Sequence, residues 1–189
     1  MGKLKRTANM YFIDVTGGSG TPDYQLVGVQ TDEGTLNYNP VTEEAQDITE
    51  DTSRVDITGY QVNVSLESKL VAKEGQKGYK VSNYFNGLRK SIAVLDELET
   101  KVLLVDAYSS TGAIDISGGS TGKFTADAQL WSATVQIDSY GGAAGESLSI
   151  GVTLNLNSKI SDGSVQVTVD PNTKDKTAEY TPTTEYVVL

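Results

Sequence analysis

The stretch Leu148-Ser149-Ile150-Gly151-Val152-Thr153-Leu154-Asn155-Leu156 alternates without a break. Leu148, Ile150, Val152, Leu154 and Leu156 fall on one side, and Ser149, Gly151, Thr153 and Asn155 on the other. A period of two marks a strand with one buried face. The opposite row is small and uncharged, which suits either an ordinary solvent face or a smooth wall.

The pattern extends outward in both directions. Upstream, residues 140–146 (Tyr-Gly-Gly-Ala-Ala-Gly-Glu) read as a glycine-rich reversal. Before it, Phe124, Ala126, Ala128 and Leu130 share one parity, while Trp131, Ala133, Val135 and Ile137 take the other. Such a frame switch is what a β-bulge produces. Downstream, Ser161-Asp162-Gly163 reads as a hairpin turn, with Val165, Val167 and Val169 alternating in a return strand. Residues 170–189 read as a polar C-terminal arm ending in Tyr186-Val187-Val188-Leu189.

The first half of the chain is also strand-rich. Residues 10–15 and 24–31 read as strands around a turn-rich loop at 16–23. Residues 55–72 form the longest strand candidate, with Val55 and Ile57 on one parity and Tyr60, Val62, Val64 and Leu66 on the other. The switch falls at Gly59 and predicts a bulge. A strand far above the usual length of about five or six residues reaches beyond its own domain. The run Val102-Leu103-Leu104-Val105 predicts a strand buried on both faces within 100–108. A short piece at 113–116 is bracketed by glycines. The one helix is expected over 80–95, where Val81, Tyr84, Phe85, Leu88 and Ile92 share a face.

Residues 37–54 stand apart. They contain Pro40 and the acids Glu43, Glu44, Asp47, Glu50 and Asp51. From Asp32 to Asp56 there are eight acids against one base, Arg54. A solvated surface loop and an interaction loop are both compatible with this composition.

Composition narrows the chemistry. The 189 residues suffice for one domain, and 21 Thr, 17 Ser, 19 Gly and 19 Val favour strands and turns. There is no cysteine, so disulfides, thiolate metal sites and Cys nucleophiles are excluded. There is no histidine, which removes Ser-His-Asp triads and most transition-metal sites. The net charge of −10 argues against a phosphate-gripping surface. No apolar run approaches the ~20 residues of a membrane span. The start carries Lys3, Lys5 and Arg6, but no apolar core follows, so no secretory signal is expected.

Motif candidates fail on inspection. The Gly118–Lys123 stretch lacks the first glycine and final hydroxyl of a phosphate loop, with Ser117 and Phe124 in those places. Residues 170–180 lack the turn glycine and final acid of a calcium loop. Asp96, Glu97 and Glu99 read as a solvated turn after the helix. No cofactor is implied and no enzyme is expected.

The order of features resembles the siphophage major tail protein (tail tube protein) family. Three stretches carry the resemblance: Gly59-Tyr60-Gln61-Val62-Asn63-Val64 with Leu66, then Val81–Lys90 followed by Val102–Asp106, and Ser139–Ile150 followed by Ser161–Val165. The resemblance implies a mainly β, sandwich- or barrel-like tail-tube fold in a single domain over 1–189. It has one flanking helix, an N-terminal arm at 1–9 and a C-terminal arm at 170–189.

It further implies a structural subunit of a long non-contractile tail tube. Such subunits self-assemble into stacked hexameric rings that form a negatively charged conduit for DNA. The implied partners are other copies of the chain, the tape measure protein and the tail terminator or tip proteins. DNA would pass transiently without sequence-specific binding, and no membrane is involved. The implied location is the virion tail, assembled in the host bacterial cytoplasm. Ser149, Gly151, Thr153 and Asn155 would face the lumen. Glu43, Glu44, Asp47, Glu50 and Asp51 would sit in the loop that contacts the next ring. Residues 69–101, with seven bases and four acids, are a candidate receiver for that loop. A different class of protein, a β-sandwich adhesin or carbohydrate-binding module, remains the alternative. Ten Tyr and Trp131 could supply stacking faces, although Trp131 sits in an alternating strand that favours core packing.

Overall fold

The computed structural model describes residues 9–27, 34–45, 54–111, 123–143, 147–173 and 175–185. The described chain is mainly β, with eight strands and one α-helix. The strands are β1 (Asn9–Asp14), β2 (Tyr24–Leu26), β3 (Gly34–Ala45), β4 (Arg54–Lys69), β5 (Glu99–Thr111), β6 (Lys123–Gly141), β7 (Ser149–Val169) and β8 (Lys176–Glu185). The helix α1 (Tyr79–Ser91) lies between β4 and β5. All strand pairs are antiparallel.

The strand order is β3-β4-β7-β6-β5-β1-β2-β8, and β8 pairs back onto β7. Six strands, β7-β6-β5-β1-β2-β8, therefore close into a barrel, which removes the exposed edges of an open sheet. Among the described strands, the β3–β4 hairpin pairs with this barrel through β4 and β7.

Two long strands make this possible. β6 has 19 residues and β7 has 21. The first half of β7 pairs with β4, from Ser149 to Leu156, and the second half pairs with β8, from Ser161 to Val169. β6 accompanies β7 along both halves and slips register between Leu130 and Trp131, between Ser132 and Ala133, and between Ile137 and Ser139. The ribbon turns at these bulges and serves both the barrel and the layer that carries the β3–β4 hairpin. The frame switch read in the sequence at Leu130–Trp131 is the first of them. The switch at Gly59 is also a bulge, because Val41 pairs with Gly59 and Thr42 with Ile57, leaving Thr58 extra.

The core divides in two. Met10, Phe12, Leu103, Val105, Phe124, Ala126, Ala128, Leu130, Val165 and Val167 fill the barrel. Ile13, Val64, Leu66, Val102, Ala133, Val135, Ile150, Val152 and Leu154 form a second layer with Val81 and Phe85 of α1. Alternate residues of β1 and β5 thus serve opposite clusters, which explains the unbroken apolar run in β5. Burying a side chain such as Val81 or Phe85 contributes roughly 1.5–3 kcal/mol, so the helix is held mainly by this face. At its start, the Gly78 N–H donates to the Asp175 carboxylate at 2.6 Å, an acid well placed for the positive end of the helix dipole.

Several expectations are corrected. The stretch 37–54 is strand, not loop, over its described part, since β3 runs from Gly34 to Ala45 against β4. Pro40 does not break it because β3 is the edge strand and needs no donor on its free side. Asp47, Glu50 and Asp51 lie outside the described residues, as does the piece at 113–116.

The helix spans Tyr79–Ser91 rather than 80–95, and a short 3-10 turn follows at Leu95–Leu98. Ser161-Asp162-Gly163 is not a turn but the middle of β7. Gly163 is needed there because a Cβ would sit 2.2 Å from the Thr181 carbonyl oxygen, where β8 crosses. Residues 176–185 are not a loose arm but β8, the strand that closes the barrel.

Candidate functional site

The layer formed by β3, β4, β7 and β6 has two unlike faces. One packs on α1 through Val64, Leu66, Val135, Val152 and Leu154. On the other, register brings Asn37 opposite Asn63, Ser65 opposite Thr153, and Asn155 opposite Thr134. The four residues singled out in the sequence, Ser149, Gly151, Thr153 and Asn155, all lie on this second face and are half-buried.

Side chains on this face bond to one another across the strands. The Asn37 amide donates to Asn63 Oδ1 at 3.0 Å. Thr153 Oγ1 donates to Asp138 Oδ2 at 2.7 Å. Ser65 Oγ lies 3.4 Å from Thr153 Oγ1 and, with the threonine proton committed to Asp138, is the donor of that pair. Gln136 donates to the other Asp138 oxygen at 2.7 Å and accepts from the Asn155 amide at 3.4 Å. Asn157 donates to Thr134 Oγ1 at 2.8 Å. These bonds tie several of the face's polar groups to one another across the strands.

Asp138 is the bulged residue of β6 and the one acid inside this network. By register Glu67 and Lys69 on β4, Glu99 and Lys101 on β5 and Glu43 on β3 lie on the same face, which carries charges of both signs. The network itself was not legible from one strand, because the partners Asn37, Asn63, Ser65, Thr134 and Gln136 join it through register. Alternating polar residues in β4 and β6 were the only available signal.

On the helix, Val81 and Phe85 are buried, and Tyr84 and Leu88 are half-buried against the second core cluster. Ile92 is corrected: it is 81% exposed. The helix ends at Ser91, and Ile92 turns into the left-handed region at φ 51°, its N–H bonding back to Leu88 and Arg89 carbonyls. That turn swings its side chain off the apolar stripe. Glu43 is exposed on β3. Trp131 is half-buried against the helix-side cluster.

A buried polar cluster sits where β1 ends. Asp14 Oδ1 accepts from Thr16 N at 3.0 Å, Thr16 Oγ1 at 2.7 Å and Asp23 N at 3.1 Å, and thereby holds the 16–23 loop. Thr100 Oγ1 donates to the Asp14 carbonyl at 2.8 Å. Lys80 pairs with Asp23 at 2.7 Å and ties α1 to that loop. Burial pushes the Tyr24 hydroxyl up to about 12, with the nearby Asp14 and Tyr180 adding to it. Burial likewise raises Tyr84 and Tyr11.

Among the described residues, no three or more acidic side chains are grouped to hold a metal ion. No helix among them is long and apolar enough to cross a membrane.

No protein-family model and no curated protein matches the chain. A solved structure does: the chain is similar to one in the tail of an empty GTA particle, refined helically with C6 symmetry. The TM-score is 0.51 at 9% identity, over 82% of this chain and 96% of that one. At that identity the likeness establishes a shared fold.

Proposed function

We propose that this chain is a structural tube subunit of a long, non-contractile phage-type tail, and not an enzyme. Six copies form a ring, rings stack, and the polar face of β3-β4-β7-β6 lines the channel through which DNA passes. The observation that carries the reading is the likeness over most of both chains to a subunit of a C6-symmetric tail.

The physical features support it. Uncharged side chains that bond to each other give DNA phosphates little to hold, and the Lys69 and Lys101 cations on this face stand among the acids Glu67, Glu99 and Asp138. The β3–β4 hairpin leaves the barrel with a free edge at β3, a template for pairing with another copy. The tape measure protein would occupy the channel before DNA, and terminator and tip proteins would cap the stack. The working location is the virion tail, after assembly in the host bacterial cytoplasm.

Negative-stain electron microscopy of the purified chain across concentration, alone and with tail-tip components, tests this. Hollow rings or tubes are expected. A chain that stays monomeric under all of these conditions would exclude the proposal.

A further inference from the structure

We propose that the cleft between β3 and the outer wall of the barrel binds a free aliphatic amine, its ammonium group at Asp106 and Asp127 and its hydrocarbon stem against Tyr11, Leu36 and Tyr38. The site goes beyond the tube reading and does not depend on assembly.

Register builds the barrel side of the cleft. Tyr11 pairs with Leu104, Leu104 with Gln129, Gln129 with Asp162, and Asp162 with Thr184. Directly opposed residues of antiparallel strands share a face, so this row crosses β1, β5, β6, β7 and β8 on one side of the sheet. That side is the outside, because the alternate residues Met10, Val105 and Ala128 fill the barrel. Across the cleft stand Leu36 and Tyr38 of β3, which pair with Val64 and Val62 and so share the face that packs on the helix-side core. Tyr11, Leu36 and Leu104 lie at the margin of that core. Beyond them the two walls part and enclose about 570 Å³, with the exposed Tyr38 at the mouth. That volume falls within the ~300–1,000 Å³ of small-molecule sites.

Two independent features select an amine. The first is aromatic. Burial raises the Tyr11 hydroxyl and the nearby Tyr38 adds to the rise, so both side chains border the same space. Tyrosine ring faces attract ammonium groups. The second is charge. Asp106 and Asp127 are direct cross-strand partners, and like charges so placed repel unless a cation lies between them. Ser109 holds the two strands abreast here: its hydroxyl donates to the Asp106 carbonyl at 2.7 Å and accepts from the Asp127 N–H at 2.8 Å. Among the described residues that line the cleft, Asp162 is a third acid and none is Lys or Arg. Asp162 holds Lys159 at 2.7 Å, which assigns the ligand to the other two acids. An amine seated there touches β3 and the barrel together and braces the hairpin against it.

The test uses the full chain, with butylamine as the probe and butanol as its uncharged counterpart. Saturation-transfer NMR and thermal melts read binding whether or not the chain has assembled. Butylamine should receive saturation from the protein and raise the melting midpoint with concentration, and butanol should do neither. Asp127 is exposed, so Asp127→Asn should keep the fold while weakening butylamine binding by about threefold to fivefold. Tyr38→Ala should weaken it by a similar factor, and added salt should weaken it in the unmodified chain. No saturation of butylamine, equal binding of butanol, or an unchanged affinity in Asp127→Asn would each overturn the site. Binding that appears only after Lys3→Gln, Lys5→Gln and Arg6→Gln are combined overturns it as well, because the chain's own basic residues then hold the acids in place of a free amine.

Discussion

Gly163 of β7 lies so close to Thr181 of β8 that a Cβ would approach the Thr181 carbonyl oxygen to 2.2 Å, and Pro182 Cα to 2.9 Å. Both obstacles are backbone, and neither can rotate away. This contact is the seam at which β8 closes the barrel. Gly163→Ala is expected to destabilise the subunit by at least the roughly 1–3 kcal/mol of an overpacked core. At roughly 2–4 °C per kcal/mol for a chain of this size, calorimetry would register a drop of several degrees. An unchanged Tm would show that β8 does not press on β7 here.

Phe85 and Ile92 share one apolar face in the sequence pattern, and the structure separates them. Phe85 is fully buried, so Phe85→Ala should cost about 3–5 kcal/mol. Ile92 is exposed at positive φ, so Ile92→Gly should stabilise the isolated subunit by about 1 kcal/mol by relieving strain. Denaturant melts of both variants would check the opposite signs.

Alkaline pH should unfold the chain through its buried tyrosines. Tyr24 is raised to about 12 in the folded state, against about 10 when unfolded. The folded state then holds its proton more tightly. Stability is intact below pH ~10 and is lost as pH rises towards 12. Tyr24→Phe should flatten this dependence between those values. A melt series whose midpoint does not fall above pH 10 would contradict the burial assigned to Tyr24.

The polar face allows a test of DNA passage. Thr153→Lys with Asn155→Lys places cations where the proposed channel wall carries uncharged side chains. Tubes of this variant should form yet retain DNA in a salt-dependent way, as phosphate contacts do. Tubes that remain indifferent to DNA would argue that this face is not the wall.

Much of the fold was legible because burial imposes period two. The alternation at 148–156 and both frame switches, at Gly59 and at Leu130–Trp131, mark β7, the β4 bulge and the β6 bend. The misses have local causes. β3 was hidden by Pro40 and by acids that an edge strand tolerates. β8 was hidden by Pro182 and a Thr-rich composition, yet β2 pairs only with Thr177 and Ala178, so Pro182 withdraws no donor from β2. Ser161-Asp162-Gly163 has turn composition, but its glycine answers a crossing strand. The candidate face was half visible: one strand showed four of its residues, while the bonds to Ser65, Gln136 and Asp138 depend on register that no single strand encodes.

The most direct measurement is a cryo-electron microscopy reconstruction of tubes assembled from the full chain. Six subunits per ring, with Thr153 and Asn155 facing the axial channel and α1 away from it, is the expected result. Tubes with Thr153 and Asn155 on the outer surface, or a solid filament without a channel, would contradict the assignment of this protein as a DNA conduit.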